Sequence, residues 1–143
     1  MIEYIVRDNN GLLEICEDGL IFKVDSSLMG LLNLWSNHAL RSVETTLRTT
    51  QKLLNCRHKL PLYINSNMLF LQLRTIRSKT PFLINYFAIA KLLPNRHNET
   101  TIFFKSGVSV NFDSIHTTKR QLDLSKVILE SLESNTKNKK VFT

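Results

Sequence analysis

Two dipeptides, Asn10-Gly11 and Asp18-Gly19, restrict what this chain can fold into more than any other feature. They separate three short runs rich in β-branched and aromatic residues, Ile2–Arg7, Leu12–Cys16 and Leu20–Val24. Asn-Gly and Asp-Gly supply the positive φ angles of a tight hairpin, so the spacing predicts an antiparallel meander at the start. Asp25-Ser26-Ser27 then offers a helix N-cap. Leu28, Leu31, Leu32 and Trp35 follow at i, i+3, i+4 and i+7, the spacing of a buried helical stripe.

A second helix is expected over Leu40–Leu54. Val43, Leu47, Thr50 and Leu54 fall within roughly 60° of one another around a helix, and Arg41, Arg48 and Lys52 within roughly 40° on the opposite side. Such a helix rests on the core by one stripe and offers cations on the other, although its threonines lower its propensity. Leu60–Ile64 and Met68–Leu73 read as strands joined at Asn65-Ser66-Asn67. Phe82–Ala90 and Thr101–Lys105 read as further strands, and Ser106-Gly107 turns the chain into Val108–Phe112. A helix over residues 118–133 closes the fold, with Leu122, Val127, Ile128 and Leu132 inward. The expected class is α+β: a β-rich single domain over residues 1–133, with an N-terminal meander, one or two helices around 27–54, further antiparallel strands and a C-terminal helix. Residues 134–143, with Lys137, Lys139 and Lys140, are expected as a basic, disordered tail.

At 143 residues with 43% apolar side chains, the chain can bury one core without staples. Cys16 and Cys56 are too few and too isolated for a disulfide framework or a zinc site, and read as small hydrophobes in a reducing cytoplasm. MIEYIVRDNN has neither the basic nor the apolar region of a secretory signal. The apolar stretch Phe82–Leu93 is too short to cross a bilayer. His38, His58, His97 and His116 show no metal-ligand spacing, and no phosphate-cradling glycine loop or nucleophile elbow occurs. These absences argue against an enzyme and against a cofactor or metal.

Charge carries the positive signal. Residues 1–36 hold two basic and six acidic side chains, a net of −4, whereas residues 37–143 hold seventeen and six, a net of +11. Residues 45–98 contain no Asp or Glu, yet carry Arg48, Lys52, Arg57, Lys59, Arg74, Arg77, Lys79, Lys91 and Arg96. A one-signed field of this kind concentrates a polyanion and holds it by counterion release, which points to nucleic acid. The candidate DNA-contacting residues are Arg41, Arg48 and Lys52 on the helix, Arg57, His58 and Lys59 at a strand entry, and Arg74, Arg77 and Lys79 in an inter-strand loop.

From Leu34 to Gln121 the sequence resembles the ComK family of competence transcription factors, as a short and divergent member. The ordered features are Leu34-Trp35-Ser-Asn-His-Ala-Leu-Arg41-Ser, then Arg57-His58-Lys59-Leu60-Pro61-Leu62, then Met68–Leu73, Thr75–Thr80 and Phe82–Ile89. They end in Thr101–Phe112 and Ser114-Ile-His-Thr117-Thr-Lys-Arg-Gln121. Leu40-Arg41-Ser42, Leu60-Pro61 and Phe82 stand where the family has a Gly-Arg-Lys-like cluster, a double proline and a Trp. The resemblance implies a cytoplasmic, nucleoid-associated activator of competence (DNA-uptake) genes. It implies binding of AT-rich double-stranded DNA, self-association as a dimer or higher, and dealings with RNA polymerase and an adaptor-protease system, with no membrane partner. A narrow A·T-rich minor groove, with its enhanced negative potential, suits an acid-free basic region. Two other classes stay open at this point: a single-stranded DNA or RNA-binding module, and a regulatory protein-interaction relic with weak DNA binding.

Overall fold

A computed structural model describes residues 1–37, 42–56 and 58–141, with side chains described up to Ser134 except that of Asn37. The meander forms as its turn residues require. β1 (Ile2–Arg7), β2 (Leu13–Glu17) and β3 (Leu20–Val24) pair antiparallel in sequence order. At the second turn Asp18 and Gly19 both adopt positive φ, 51° and 84°, as a two-residue hairpin turn demands. The first turn works differently. Only Gly11 is left-handed there, and the Asp8 carboxylate accepts from the Asn10 and Leu12 amides at 2.9 and 3.0 Å.

α1 (Leu28–Asn37) and α2 (Val43–Leu54) follow. Ser42 caps α2 by accepting the Thr45 amide at 3.1 Å, and Asn55 ends it in the left-handed conformation. The chain continues through β4 (Leu62–Asn65), β5 (Met68–Arg74) and β6 (Phe82–Asn85), which complete a six-stranded sheet of order β3-β2-β1-β6-β5-β4.

One expected strand is in fact two. Phe82–Ala90 does not run as a single strand, because fully buried Asn85 halts it. Its Oδ1 accepts from the Leu69 and Phe87 amides, both at 3.2 Å, and its Nδ2 donates to the Ile2 and Asn67 carbonyls at 2.7 and 2.8 Å. The Phe87 bond starts a 3₁₀ turn, Tyr86–Ala88, that carries the chain off the large sheet into β7 (Ile89–Pro94). β7 pairs with β8 (Thr100–Phe104), and β8 with β9 (Ser109–Phe112), in a separate three-stranded sheet.

The inner strands of the large sheet are buried on both faces, whereas β3 at its edge is exposed. Ile5, Leu13, Ile15, Phe70 and Leu83 face α1 and α2, where they meet Leu28, Leu32 and Val43. Tyr4, Cys16, Leu71, Phe82 and Ile84 face the small sheet, where they meet Ile102, Phe104 and Phe112. Alternation along each strand feeds the two cores. An irregularity of pairing between Ile2 and Tyr4 lets Ile2 and Ile5 serve the same core.

α3 (Ile115–Val141) packs against β5 and α2. Its inward face is only partly the apolar one expected. Ile128 is buried and Leu122 packs on the core, but Val127 is exposed, and the buried stripe runs Thr118, Gln121, Ser125 and Ile128, spaced three, four and three residues apart. The helix begins three residues before the expected start at 118, and its backbone continues through residues 134–141, where the sequence suggested a disordered tail. Adding residues to a formed helix costs far less than nucleating one.

A candidate nucleic-acid interface

Two buried glutamines organise the surface where the basic residues meet. The Gln72 side chain, on β5, donates from Nε2 to the Leu60 carbonyl at 2.6 Å and accepts the Ile76 amide at Oε1 at 3.0 Å. Its backbone amide donates to Gln121 Oε1 at 3.0 Å, and Gln121 Nε2 donates to the Lys59 carbonyl. One residue earlier on α3, Arg120 donates to the Lys59 carbonyl at 3.1 Å and the His58 carbonyl at 3.4 Å, and meets Cys56 Sγ at 3.2 Å. Cys56, the segment 58–60 and the loop after β5 are therefore tied to one scaffold, with Lys59 held at φ 53°.

Between these segments and α2 lies a cleft of about 220 Å³. Leu47 and Gln51 of α2 form one wall, His58, Lys59 and Leu60 another, and Thr75, Ile76 and Arg77 a third, with Gln72 beneath. No acidic residue lines it. Arg48 and Lys52 directly follow Leu47 and Gln51, about 100° further around the helix, and both are exposed. They extend the basic surface from the cleft onto the open face of α2. Among the described residues the ion pairs are Met1–Asp18 and Lys23–Asp8, so no described cation of the acid-free window makes a direct ion pair with a carboxylate.

The structure brings together His58, Lys59 and Arg77, with Arg48 and Lys52 alongside. Lys79 is exposed in the same loop but does not line the cleft. Arg41 and Arg57 lie outside the described residues. Arg74 does not reach the cleft. Its guanidinium sits 5.5 and 5.9 Å from the ring centroids of Phe82 and Phe112, and its Nε donates to the Thr80 carbonyl at 2.9 Å. The loop itself is hydrogen-bonded, through Ser78 N to Thr75 O at 3.0 Å and Thr80 N to Ser78 Oγ at 3.1 Å. Arg120, which ties this surface together, lies outside the acid-free window, so charge patterning does not single it out.

Burial pushes the Lys59 pKa below the ordinary lysine value, opposed by Asp113 and reinforced by Arg120 and Arg74. Among the described residues no three His, Cys, Asp or Glu side chains are grouped to hold a metal, and no helix is long and apolar enough to cross a membrane. The fold and the cleft define a mixed α+β domain with two antiparallel sheets and a cleft lined by basic side chains. No protein-family model, curated protein or solved structure matches the chain.

Proposed function

We propose that the protein is a DNA-binding transcription activator of the ComK kind, gripping AT-rich duplex DNA along the cleft and the exposed face of α2. The observation that carries this reading is the convergence of His58, Lys59 and Arg77 on an acid-free cleft, with Arg48 and Lys52 on its rim. Backbone phosphates supply the affinity of such a surface, and cations entering a narrow groove supply the A·T preference. The assignment to competence genes, to RNA polymerase recruitment and to adaptor-dependent proteolysis rests on the resemblance over Leu34–Gln121.

A duplex is favoured over a single strand by the placement of aromatics. Single-strand binders stack bases on aromatic rings along a basic groove. Phe22 is the one exposed aromatic among the described residues, and it belongs to the acidic segment 1–36.

Self-association is the second part of the proposal, through the open edge of β3. Leu20, Ile21 and Phe22 are exposed by 74%, 54% and 41%. Lys23, the charge that would guard such an edge, is drawn back to 3.0 Å from Asp8. A second copy fits because two β3 strands paired antiparallel about Phe22 set Ile21 opposite Lys23 and Leu20 opposite Val24, with no like charges facing.

The test is fluorescence anisotropy with an AT-rich duplex, a scrambled duplex and a single strand. Preference for the AT-rich duplex is expected. Equal affinity for the scrambled duplex removes the sequence-specific reading, and no binding at modest salt supports the interaction-relic class instead.

A further inference from the structure

Lys59 is in an unusual position for a lysine. Its side chain is half-buried, and no hydrogen bond or ion pair to its ammonium is found among the described residues. Arg120 and Arg74 lie within electrostatic range of Lys59 and oppose its charge, and Asp113 favours it without forming an ion pair. A cation drawn from water without a counter-ion is unfavourable. It is nevertheless held there, because Arg120 and Gln121 bond its carbonyl and fix the backbone. Such an arrangement leaves room for an anion that the protein itself does not supply.

We infer that the cleft is an oxyanion seat, in which the Lys59 ammonium, together with His58 and Arg77 of the same cleft lining, takes one phosphodiester group of a bound nucleic acid. The volume of about 220 Å³ admits such a group with several waters. Arg77 supplies a planar fork suited to phosphate oxygens, and Lys59 a point charge beneath them. The identity of the donor as duplex DNA rests on the function proposed above, whereas the seat stands on the cleft and its cations.

An anion in the seat favours the charged lysine and so raises its pKa. Of the groups around Lys59, Asp113 favours the charge and Arg120 and Arg74 oppose it, while His58 and Arg77 face the same cleft. The Lys59 contribution to affinity is accordingly present at lower pH and lost as pH rises through its lowered pKa.

Two measurements test the seat with Lys59→Gln and Lys59→Arg, after melting curves establish that each variant folds. In the first, affinity for the AT-rich duplex is followed against potassium chloride. Lys59→Gln is expected to make the slope of log K against log salt shallower by about 0.9, the value of one phosphate contact, with Lys59→Arg restoring it. An unchanged slope in Lys59→Gln, with the wild type binding duplex, overturns the seat and leaves the DNA reading intact. In the second, amide resonances are followed as inorganic phosphate is added. Shifts clustered at residues 58, 59 and 77 that vanish in Lys59→Gln support the seat, even if the duplex does not bind. Absence of such shifts, or shifts that persist in Lys59→Gln, overturns it.

Discussion

The backbone amide of Gln72 donates to the side-chain Oε1 of Gln121 at 3.0 Å, joining a central strand to the C-terminal helix across 49 residues of sequence. Both residues are almost fully buried. A strand amide of this kind ordinarily finds its acceptor in a neighbouring strand, so the helix here replaces part of a ladder. Because Gln121 also holds the Lys59 carbonyl, the bond couples the packing of α3 to the shape of the basic cleft.

Gln121→Ala strips the buried Gln72 amide of its acceptor and leaves the Lys59 carbonyl to Arg120 alone. One buried orphan costs about 1–3 kcal/mol, so a loss of about 2 kcal/mol in urea unfolding is expected. Duplex affinity should fall as well, under conditions where the variant is still folded, because the 58–60 wall loses one of its ties. Unchanged affinity in the folded variant would separate the glutamine pair from the cleft.

Arg77 and Arg74 are close in sequence but should respond oppositely to substitution. Arg77→Ala removes an exposed cleft residue and is expected to weaken duplex binding with the melting temperature unchanged. Arg74→Ala loses its contacts over Phe82 and Phe112 and should cost about 1 kcal/mol of stability, with the smaller effect on binding. Thermal melts and anisotropy on the two variants decide the matter.

The Ile21→Lys change places a charge on the open edge of β3, where a side chain already half in water tolerates it. Light scattering should show a shift toward the monomer, with the fold unaltered by circular dichroism. A monomeric wild type at working concentration would rule out the β3 interface directly.

Asp8 supplies a pH dependence. The hydrogen bond from Lys23 holds its carboxyl below the ordinary carboxylate value, against an opposing effect of desolvation, and the Leu12 and Asn10 amides lower it further. A folded value below the unfolded one means stabilisation that is complete above about pH 4 and is lost as pH falls through the folded value. The melting-temperature difference between wild type and Asp8→Asn is therefore expected to shrink toward zero as the solution is acidified.

Local rules made the meander legible, since Asp18-Gly19 and the flanking alternation leave few other arrangements. They made α2 legible too: Val43 and Thr50 are buried and Arg48 and Lys52 exposed, as their angular positions require. Periodicity failed where a buried polar side chain did the structural work. Asn85 looked like one residue of a long strand, yet its four hydrogen bonds end β6 and send the chain to a second sheet. Gln121 carries no apolar signal, yet it is fully buried because β5 and Lys59 offer it partners, while Thr118 and Ser125 are buried beside it by bonding the Ser114 and Gln121 carbonyls of their own turns.

The one-signed window established by itself that this chain carries a concentrated cationic field, because charge is a property of composition and needs no fold. Whether those charges act together is decided by the tertiary structure. It sets His58, Lys59 and Arg77 around one cleft beside Arg48 and Lys52, and it turns Arg74 away onto two aromatic rings. That division depends on contacts between residues far apart in sequence, above all Gln72 with Gln121 and Arg120 with Lys59, which no local pattern encodes.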